Sequence, residues 1–373
     1  MSKKRPKRKI LILTNHSYML WQFRRELIEE LMQTSTVYLG MPFVGHEEDF
    51  KEMGARCIRI NLERRSRDPL KDIRLFRTYE AILDKIQPDL VITYSIKPNI
   101  YGGLACRIRK IPYFSNVQGL GTAFQTRPLS DLVTQMYKTG LRGARKVFFE
   151  NTENAREFEN RKIVSAERQV LLNGAGINLQ HFAYQEYPDN EIFHFLYLGR
   201  IMREKGMDEL FTAIEQLDGN RILDLVGFYE DEYEDRVKKL EERGLVRFHG
   251  FQADPRPYYA MADCIVMPSY HEGMSNVNLE AAAVGRPVIT TDIPGCREAV
   301  EDGVTGLYCQ KQDADSLFQA MKEMTELTKA ERSTMGLAAR RHVERYFDKR
   351  DIVAETCQNI EEAMQRQQQV FTT

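Results

Sequence analysis

The sequence lacks the features that mark several large classes of protein. No apolar run approaches the roughly 18–20 residues that a membrane-spanning helix needs, and the basic N-terminus is not followed by the apolar core of a signal peptide. The six cysteines are scattered and include no C-x-x-C pair, so neither a zinc site nor a disulfide framework is indicated. We therefore expect a cytoplasmic protein with reduced thiols.

Two motifs with known chemistry are also missing. No Gly-x-Gly-x-x-Gly follows the first predicted strand, Lys9–Leu13, which argues against a dinucleotide-dependent dehydrogenase. No Asp-x-Asp motif stands where it would bind a metal, so we expect neither a metal nor a resident cofactor.

The chain is long enough for two domains, and its charge is divided unevenly between them. It has 373 residues, of which 42% are apolar and 29% charged, as in ordinary globular proteins. Residues 1–170 contain 31 Lys and Arg against 19 Asp and Glu, whereas residues 171–373 contain 22 against 35. A basic first half indicates an anionic surface as partner, either nucleic acid or the cytoplasmic leaflet of a membrane.

The most informative stretch runs over residues 263–306. Cys264–Met267 is a short apolar run that predicts a buried parallel strand, and the loop 269–274 follows it. Ser275 or Asn276 is a suitable N-cap for an Ala-rich helix, and a second strand is predicted at Val288–Thr291. The pattern therefore predicts a strand–loop–helix–strand unit whose loop lies at the carboxyl edge of a parallel sheet, where such sheets bind ligands.

Two glutamates bracket this helix N-terminus. The N-terminus itself suits an anion such as phosphate, whereas the carboxylates of Glu272 and Glu280 suit hydroxyl groups. A diphosphate with a polyhydroxyl group at each end, as in a nucleotide sugar, meets both demands. The alternative is that Glu272 caps the helix and Glu280 lies on a solvated face.

The order of strand, Pro-Ser, Glu-Gly, Ala-rich helix and Gly-x-Pro-Val-Ile resembles the donor site of the retaining glycosyltransferases of family 4, which have the GT-B fold. The resemblance implies an α/β protein of two Rossmann-like domains whose parallel sheets face a central cleft. It implies that Glu272 contacts the donor sugar and that Glu280 holds the ribose. It also implies that sugar and phosphate are covered by four further donor-binding residues: Gly273, Met274, Ser275 and Asn276.

A second motif, Gly-Arg-x4-Lys-Gly, starts at Gly199. Arg200 and Lys205 on one strand-to-helix connection can clamp a diphosphate and stabilise it as it leaves. They match the family's diphosphate clamp, so we assign Arg200, Lys205 and Glu272 as catalytic; two solvated surface cations are the alternative. Gly199, Gly227 and Phe251, in loops that follow strands, are further donor-binding candidates. Between the predicted strands Leu223–Val226 and Val246–Phe248, the charged stretch from Tyr229 to Gly244 is predicted to be a helix on a solvated face.

The first half resembles, more narrowly, bacterial capsule, O-antigen and N-glycan glycosyltransferases, through Lys-Pro-Asn-Ile-Tyr-Gly followed by Gly-Leu-Gly (Gly119 to Gly121). It departs from many family members by lacking a Gly-rich first loop. It also has Asn-Val-Gln, ending at Gln118, where many members have a histidine, so we predict no catalytic histidine there. The residues that we predict to line the acceptor side of the cleft are Asn15, His16, Lys97, Asn99, Gln118 and Gly119.

The expected organisation has five parts. They are a basic disordered arm (1–9), an acceptor-binding domain (10–172), a linker (173–190), a nucleotide-sugar domain (191–346) and a helix that returns to the first domain (347–373). The arm is a solubilising tail or a membrane tether. A second basic segment, from Arg64 through Arg77, contains six cations around one helix, which is either a membrane-surface helix or a plain surface helix.

The resemblance implies transfer of a hexose or N-acetylhexosamine, with galactose or N-acetylgalactosamine first, from a UDP-sugar to a polyprenyl-diphosphate-linked saccharide. The reaction would be retaining and metal-independent, at the inner face of the cytoplasmic membrane, without nucleic acid as a partner. Three alternatives remain open: a nucleotide-sugar epimerase of the same fold, a sugar-binding regulator without turnover, and a nucleic-acid-binding protein. No basic run is interleaved with aromatic residues in the way that single-strand binders need.

Overall fold

The chain forms two α/β units, each built on its own parallel sheet. The computed structural model describes residues 7–63, 68–120, 124 and 129–370. The first unit extends to Ala175 and takes in the residues from Arg350 onwards, and the second unit is Gly176–Lys349.

Seven strands in the described part of the first unit are β1 (Arg8–Leu13), β2 (Ser35–Met41), β3 (Arg56–Arg59), β4 (Leu90–Tyr94), β5 (Tyr113–Val117), β6 (Val147–Phe149) and β7 (Gln169–Leu171). Their order in the sheet is β3-β2-β1-β4-β5-β6-β7, and every pair is parallel. The helices are α1 (Ser17–Thr34), α2 (Glu47–Met53), α3 (Pro69–Ile86), α4 (Gly103–Ile108), α5 (Leu129–Leu141) and α6 (Thr152–Asn160).

The second unit has a parallel sheet of six strands, ordered β10-β9-β8-β11-β12-β13 when its strands are labelled along the chain. They are β8 (Phe193–Ile201), β9 (Arg221–Tyr229), β10 (Val246–Phe248), β11 (Cys264–Met267), β12 (Val288–Thr291) and β13 (Gly306–Cys309). The helices are α7 (Met207–Gln216), α8 (Glu234–Glu242), α9 (Arg256–Met261), α10 (Asn276–Val284), α11 (Ala314–Glu326) and α12 (Lys329–Tyr346).

Both sheets are covered on both faces. In β1, Ile10 and Ile12 belong to one apolar cluster and Leu11 and Leu13 to another. Successive strand side chains point to opposite faces, so a strand that is buried on both faces appears in the sequence as an unbroken apolar run. This is why the central strands were predictable.

The last helix, α13 (Lys349–Val370), packs on the first unit. Ile360 is buried in the same cluster as Ile10 and Ile12, and Glu361 forms an ion pair with Arg8. Arg8 already belongs to β1, so the prediction of a disordered arm over residues 1–9 is wrong at its C-terminal end, and residues 1–6 lie outside the described part.

Two predicted helices have different bounds in the structure. The charged helix predicted from Tyr229 to Gly244 is only α8, because β9 continues to Tyr229. The basic helix is α3, which starts after Asp68, whose side chain accepts a hydrogen bond of 2.9 Å from the backbone N–H of Leu70. The cations predicted at 64–67 lie outside the described residues.

Among the helices that the structure describes, none is long and apolar enough to cross a membrane.

The second unit is held together at one point by a buried arginine, Arg286, which follows Gly285, the C-cap of α10, and is 0% exposed. Its guanidinium donates hydrogen bonds of 2.8–3.1 Å to the backbone carbonyls of Gln185, Glu186, Tyr259 and Ala260. These carbonyls belong to the segment before β8 and to α9, so one side chain connects three parts of the chain.

We predict that Arg286→Met destabilises the second unit by about 4 kcal/mol, because it leaves several buried carbonyls without donors. The measurement is urea unfolding followed by far-UV circular dichroism. Arg341→Met, at an exposed position of α12, is the matched control and should leave the midpoint unchanged. Equal midpoints for Arg286→Met and the wild type would contradict the assignment.

Candidate active site

The loop between β11 and α10 is built as the sequence predicts. Ser275 is the N-cap of α10, and its side chain accepts a hydrogen bond from the backbone N–H of Asn278. The N–H of Ser275 donates to the carbonyl of Gly295 at 2.7 Å. A Cβ at Gly295 would lie only 2.6 Å from the carbonyl oxygen of Gly273, so the two loops touch through their backbones. The helix N-terminus is thus fixed at the carboxyl edge of the sheet.

The strand order reverses between β8 and β11, which are neighbours in the sheet. Lys205 follows β8, Glu272 follows β11, and their side chains form an ion pair in which each is about 15% exposed. Gly206 has a φ of +74°, and a Cβ there would lie 2.2 Å from the carbonyl oxygen of Pro268. Glycine is therefore required for the two connections to approach so closely.

Arg200 is held on two sides. Its guanidinium donates to Glu230 at 2.6 Å, and its backbone carbonyl accepts a hydrogen bond of 2.7 Å from the hydroxyl of Tyr197. Glu230 follows β9, and its N–H donates to the carbonyl of Ile201 at 3.0 Å. Each predicted clamp cation thus has its own carboxylate partner at the same edge of the sheet, Glu230 for Arg200 and Glu272 for Lys205.

Glu280 is not on a solvated face. It is 6% exposed, and the hydroxyl of Tyr259 donates to it at 2.8 Å. Burial raises the pKa of Glu280 to about 7, an effect that the Tyr259 hydrogen bond and nearby Lys349 only partly oppose. A buried carboxylate with one donor can accept further hydrogen bonds from the hydroxyls of a ligand.

The remaining donor-side candidates lie at the ends of β8, β9 and β10. Gly199 and Gly227 are opposite each other in the register, and a Cβ at Gly227 would lie 1.8 Å from the carbonyl oxygen of Gly199. Phe251 is 56% exposed, and its ring lies 6.5 Å from that of the half-exposed Phe228. Such an exposed aromatic pair offers a face on which a heterocycle can stack.

The loop that carries Phe251 is anchored by a buried carboxylate. Asp224 on β9 is 0% exposed and pairs with His249 at 2.6 Å and with His194 at 2.7 Å. The two imidazoles lower the pKa of Asp224, although burial opposes them. His249 directly follows β10, so this pairing fixes the start of the loop.

In the first unit the strand order reverses between β1 and β4. Asn15 follows β1 and accepts a hydrogen bond of 2.9 Å from Ser95, which follows β4. Ser95 has a φ of +74°, an uncommon value for a residue other than glycine. His16 is the N-cap of α1, and Lys97 forms an ion pair with Asp72 at 2.8 Å.

Asn99 does not line the acceptor side as predicted. It is 0% exposed, its amide oxygen accepts from Thr93 at 2.6 Å and its amide nitrogen donates to the carbonyl of Asn116 at 2.8 Å. These two hydrogen bonds join the ends of β4 and β5. Gln118 and Gly119 follow β5 and are partly exposed, whereas Gly121 lies outside the described residues.

Several residues at these edges were not predicted from the sequence: Glu230, Tyr259, Asp72 and Ser95. Glu230 could have been found, because it follows a predicted strand of the same sheet as Arg200. The contact of Tyr259 with Glu280 joins α9 to α10 and has no sequence signal. Among the described residues, no three His, Cys, Asp or Glu side chains are grouped so that they could hold a metal ion.

Comparison with known proteins gives matches in both halves of the chain. A family described as "Glycosyl transferase 4-like" matches residues 9–151, and one described as "Glycosyl transferases group 1" matches residues 192–326. The Campylobacter jejuni N,N'-diacetylbacillosaminyl-diphospho-undecaprenol alpha-1,3-N-acetylgalactosaminyltransferase is 25% identical over 337 residues, which are 85% of this chain and 89% of the relative.

Two further matches show less, since one covers only part of each chain and the other shows only the fold. The capsular polysaccharide biosynthesis glycosyltransferase CapM of Staphylococcus aureus is 31% identical over 46% of this chain and 49% of the relative. The crystal structure of Anabaena HepE with UDP and glucose superimposes with a TM-score of 0.78 at 18% identity, covering 95% of this chain and all of that one. The fold is therefore that of GT-B proteins, as the sequence predicts.

We predict that Glu280→Gln removes a pH-dependent penalty from the second unit. The pKa of Glu280 is about 7 in the folded protein and near 4.5 when unfolded, so its contribution to stability is present below pH 4.5 and is lost as the pH rises through 7. Relative to the wild type, the variant should gain about 2 to 3 kcal/mol between pH 5 and pH 8. Urea unfolding of both proteins at the two pH values tests this, and a constant difference would contradict it.

Proposed function

We propose that this chain, a glycosyltransferase whose first half is of the 4-like family and whose second half is of the group 1 family, transfers a hexose or N-acetylhexosamine from a UDP-sugar to a lipid-linked saccharide. The proposal rests on one observation above all. Lys205 pairs with Glu272 just before the N-terminus of α10, at the reversal point of the second sheet, and Arg200, paired with Glu230, lies at the end of the neighbouring strand β8. Cations, a helix N-terminus and carboxylates at one edge suit a diphosphate flanked by hydroxyl-bearing groups.

We assign the donor contacts as follows. Glu280 accepts hydrogen bonds from the ribose, and Glu272 accepts them from the sugar. Arg200, Lys205 and the backbone of residues 273–276 hold the diphosphate. The aromatic pair of Phe228 and Phe251 lies beside the base, with Gly199 and Gly227 allowing close approach to the sheet edge.

The chemistry that we propose is retaining and metal-independent. The acceptor hydroxyl attacks on the face from which the diphosphate departs, and the diphosphate takes the hydroxyl proton. As the bond between sugar and diphosphate breaks, negative charge develops on the leaving oxygen. Arg200, Lys205 and the N-terminus of α10 stabilise that charge, since they are already in place before the reaction.

For the acceptor we propose a polyprenyl-diphosphate-linked saccharide in bacterial surface polysaccharide or glycan synthesis, with galactose or N-acetylgalactosamine as the first candidate sugar. The Campylobacter relative is named for an undecaprenyl-diphosphate substrate and transfers N-acetylgalactosamine. In this chain the first half is basic, and helix α3 exposes Leu70 and Ile73 by 63% and 57%. These features suit peripheral binding to an anionic membrane.

We predict that UDP is released from one UDP-sugar of a panel when a lipid-linked acceptor is present, and that EDTA does not reduce the rate.

Lys205→Ala should lower kcat/KM by about a hundredfold, because it removes one positive charge that stabilises the leaving group. Lys239→Ala, at an exposed position of α8, is the matched control. Chromatography for UDP and nuclear magnetic resonance for the anomeric configuration are the measurements.

Three outcomes would count against the proposal. UDP formation that needs no acceptor would favour an epimerase or a hydrolase. UDP binding without turnover would favour a regulator. An inverted anomeric configuration would refute the retaining mechanism while leaving the transferase assignment in place.

We predict that Leu70→Ser combined with Ile73→Ser weakens binding to phosphatidylglycerol-containing vesicles by tenfold or more, since each side chain loses roughly 1.5–3 kcal/mol of burial. The matched control is Val304→Ser with Leu337→Ser, which changes exposed apolar residues of the second unit. Vesicle co-sedimentation measures the effect. Equal loss in both double variants would mean that α3 is not the membrane-binding element.

A further inference from the structure

A polar cavity of about 580 Å³ lies in the first unit, between the ends of β2 and β3 and the N-terminal half of α3. It is separate from the hydrogen bond between Asn15 and Ser95 at the reversal point of the sheet. Of the residues that the sequence analysis singled out for the acceptor, only Lys97 lines it.

The charged side chains that line the cavity are mainly cationic. Four are basic and two acidic: Arg59, Lys71, Arg74, Lys97, Glu63 and Asp72. Both ammonium groups are neutralised, since Lys71 pairs with Glu63 at 2.6 Å and Lys97 pairs with Asp72 at 2.8 Å. Asp72 also accepts a hydrogen bond of 2.7 Å from the hydroxyl of Tyr101.

The other two basic side chains that line the cavity are the guanidinium groups of Arg59 and Arg74. Neither Arg59 nor Arg74 has a carboxylate partner among the residues that the structure describes. The guanidinium of Arg59 lies over the ring of Phe43, 4.7 Å from its centroid, which orients it without neutralising it. Both arginines are exposed and line the same cavity, and the planar donor set of a guanidinium matches phosphate oxygens.

Helix α3 presents a second kind of surface next to the cavity. Lys71, Arg74 and Leu75 line the cavity at helical spacing, whereas Leu70 and Ile73 are exposed. Because 71, 74 and 75 share one face of a helix and 70 and 73 share the adjoining face, a charged group in the cavity lies beside an exposed apolar stripe. An anionic group attached to a hydrocarbon chain fits this combination better than a free anion does.

We propose that this cavity binds the diphosphate of a lipid-linked acceptor through Arg59 and Arg74, while the lipid chain lies along Leu70 and Ile73. This assignment deepens the proposed function and rests on it for the identity of the acceptor. The anion site itself needs no turnover to be tested. Arg59 and Arg74 would then set the affinity for the acceptor, while the donor is bound in the second unit.

The first test is calorimetric binding of inorganic pyrophosphate to the full chain. Excess UDP is present so that pyrophosphate cannot bind at the donor site. The titration is then repeated with the Lys205→Ala variant, in which pyrophosphate binding at the donor site is removed by the substitution instead of by UDP. We expect one pyrophosphate to bind, and the double variant Arg59→Gln with Arg74→Gln to bind it about a hundredfold more weakly, about tenfold for each charge-assisted contact. UDP binding should be unchanged, which shows that the second unit is folded, and an unchanged far-UV circular dichroism spectrum shows that the first unit is folded as well.

The matched control is the double variant Arg56→Gln with Arg77→Gln. Arg56 and Arg77 are exposed arginines of the same unit that do not line the cavity, and Arg77 lies on the same helix as Arg74. Pyrophosphate should bind this control within about twofold of the wild type at the same ionic strength. Equal losses in the two double variants, or no pyrophosphate binding by the wild type, would overturn the proposal.

The second test separates a lipid-borne diphosphate from a free one. Neutral phosphatidylcholine vesicles are prepared with or without a few mole per cent of a polyprenyl-diphosphate saccharide. We expect co-sedimentation only with the diphosphate lipid and its loss in Arg59→Gln with Arg74→Gln. Binding of free pyrophosphate without any response to the diphosphate lipid would overturn the lipid-borne assignment.

Turnover distinguishes this inference from the proposed function. If sugar is transferred but the acceptor KM is the same in the double variant as in the wild type, the cavity assignment fails and the transferase proposal stands. If the cavity binds pyrophosphate through the two arginines but no UDP-sugar supports transfer to any polyprenyl-diphosphate saccharide, the anion site stands and the transferase proposal fails.

Discussion

The reversal of strand order in each parallel sheet is the constraint on which both candidate sites depend. Parallel strands bring all their carboxyl ends to one edge, and where the winding changes direction the two following loops diverge and leave a crevice. In the second unit this brings Lys205 to Glu272, which are 67 residues apart, and in the first it brings Asn15 to Ser95, which are 80 apart. Neither pair could meet in a sheet of a different order.

The crevice of the second unit is narrow because glycine lines it. Gly206 lies against the backbone of Pro268, and Gly227 lies against the backbone of Gly199. Side chains at these positions would separate the loops and move the cations away from the N-terminus of α10. The same closeness accounts for the ion pairs, in which the carboxylates of Glu230 and Glu272 neutralise the two cations at one edge of the sheet.

The strands most visible in the sequence are ones with a neighbour on each side. β11 and β12 have the bounds predicted from the apolar pattern. The edge strand β3, with the sequence Arg-Cys-Ile-Arg, was missed, because an edge strand is partly solvated and needs no apolar run. The same physics produced the error in α8, where the end of β9 is solvated and resembles a charged helix.

The candidate site likewise contains some residues that the sequence predicts and others whose surroundings only the structure shows. Glu272 and Lys205 lie a few residues after recognisable strand ends, and Glu280 lies in the helix that follows Glu272. The sequence predicts all three as site residues through the family resemblance. The sequence does not show which side chains are buried, and the structure decided this for two candidate residues. Asn99 is fully buried and connects β4 to β5 by hydrogen bonds, and Glu280 is buried against Tyr259.

The sequence by itself determined the fold class and the two-sheet organisation through its resemblance to GT-B glycosyltransferases. Local periodicity determined several strand ends and the residue types that follow them. Only the tertiary structure decided which carboxylate accompanies which cation, and that Arg59 and Arg74 face one cavity. Pairings of this kind depend on distances between segments far apart in the chain, and the spacing of residues in a sequence does not encode those distances.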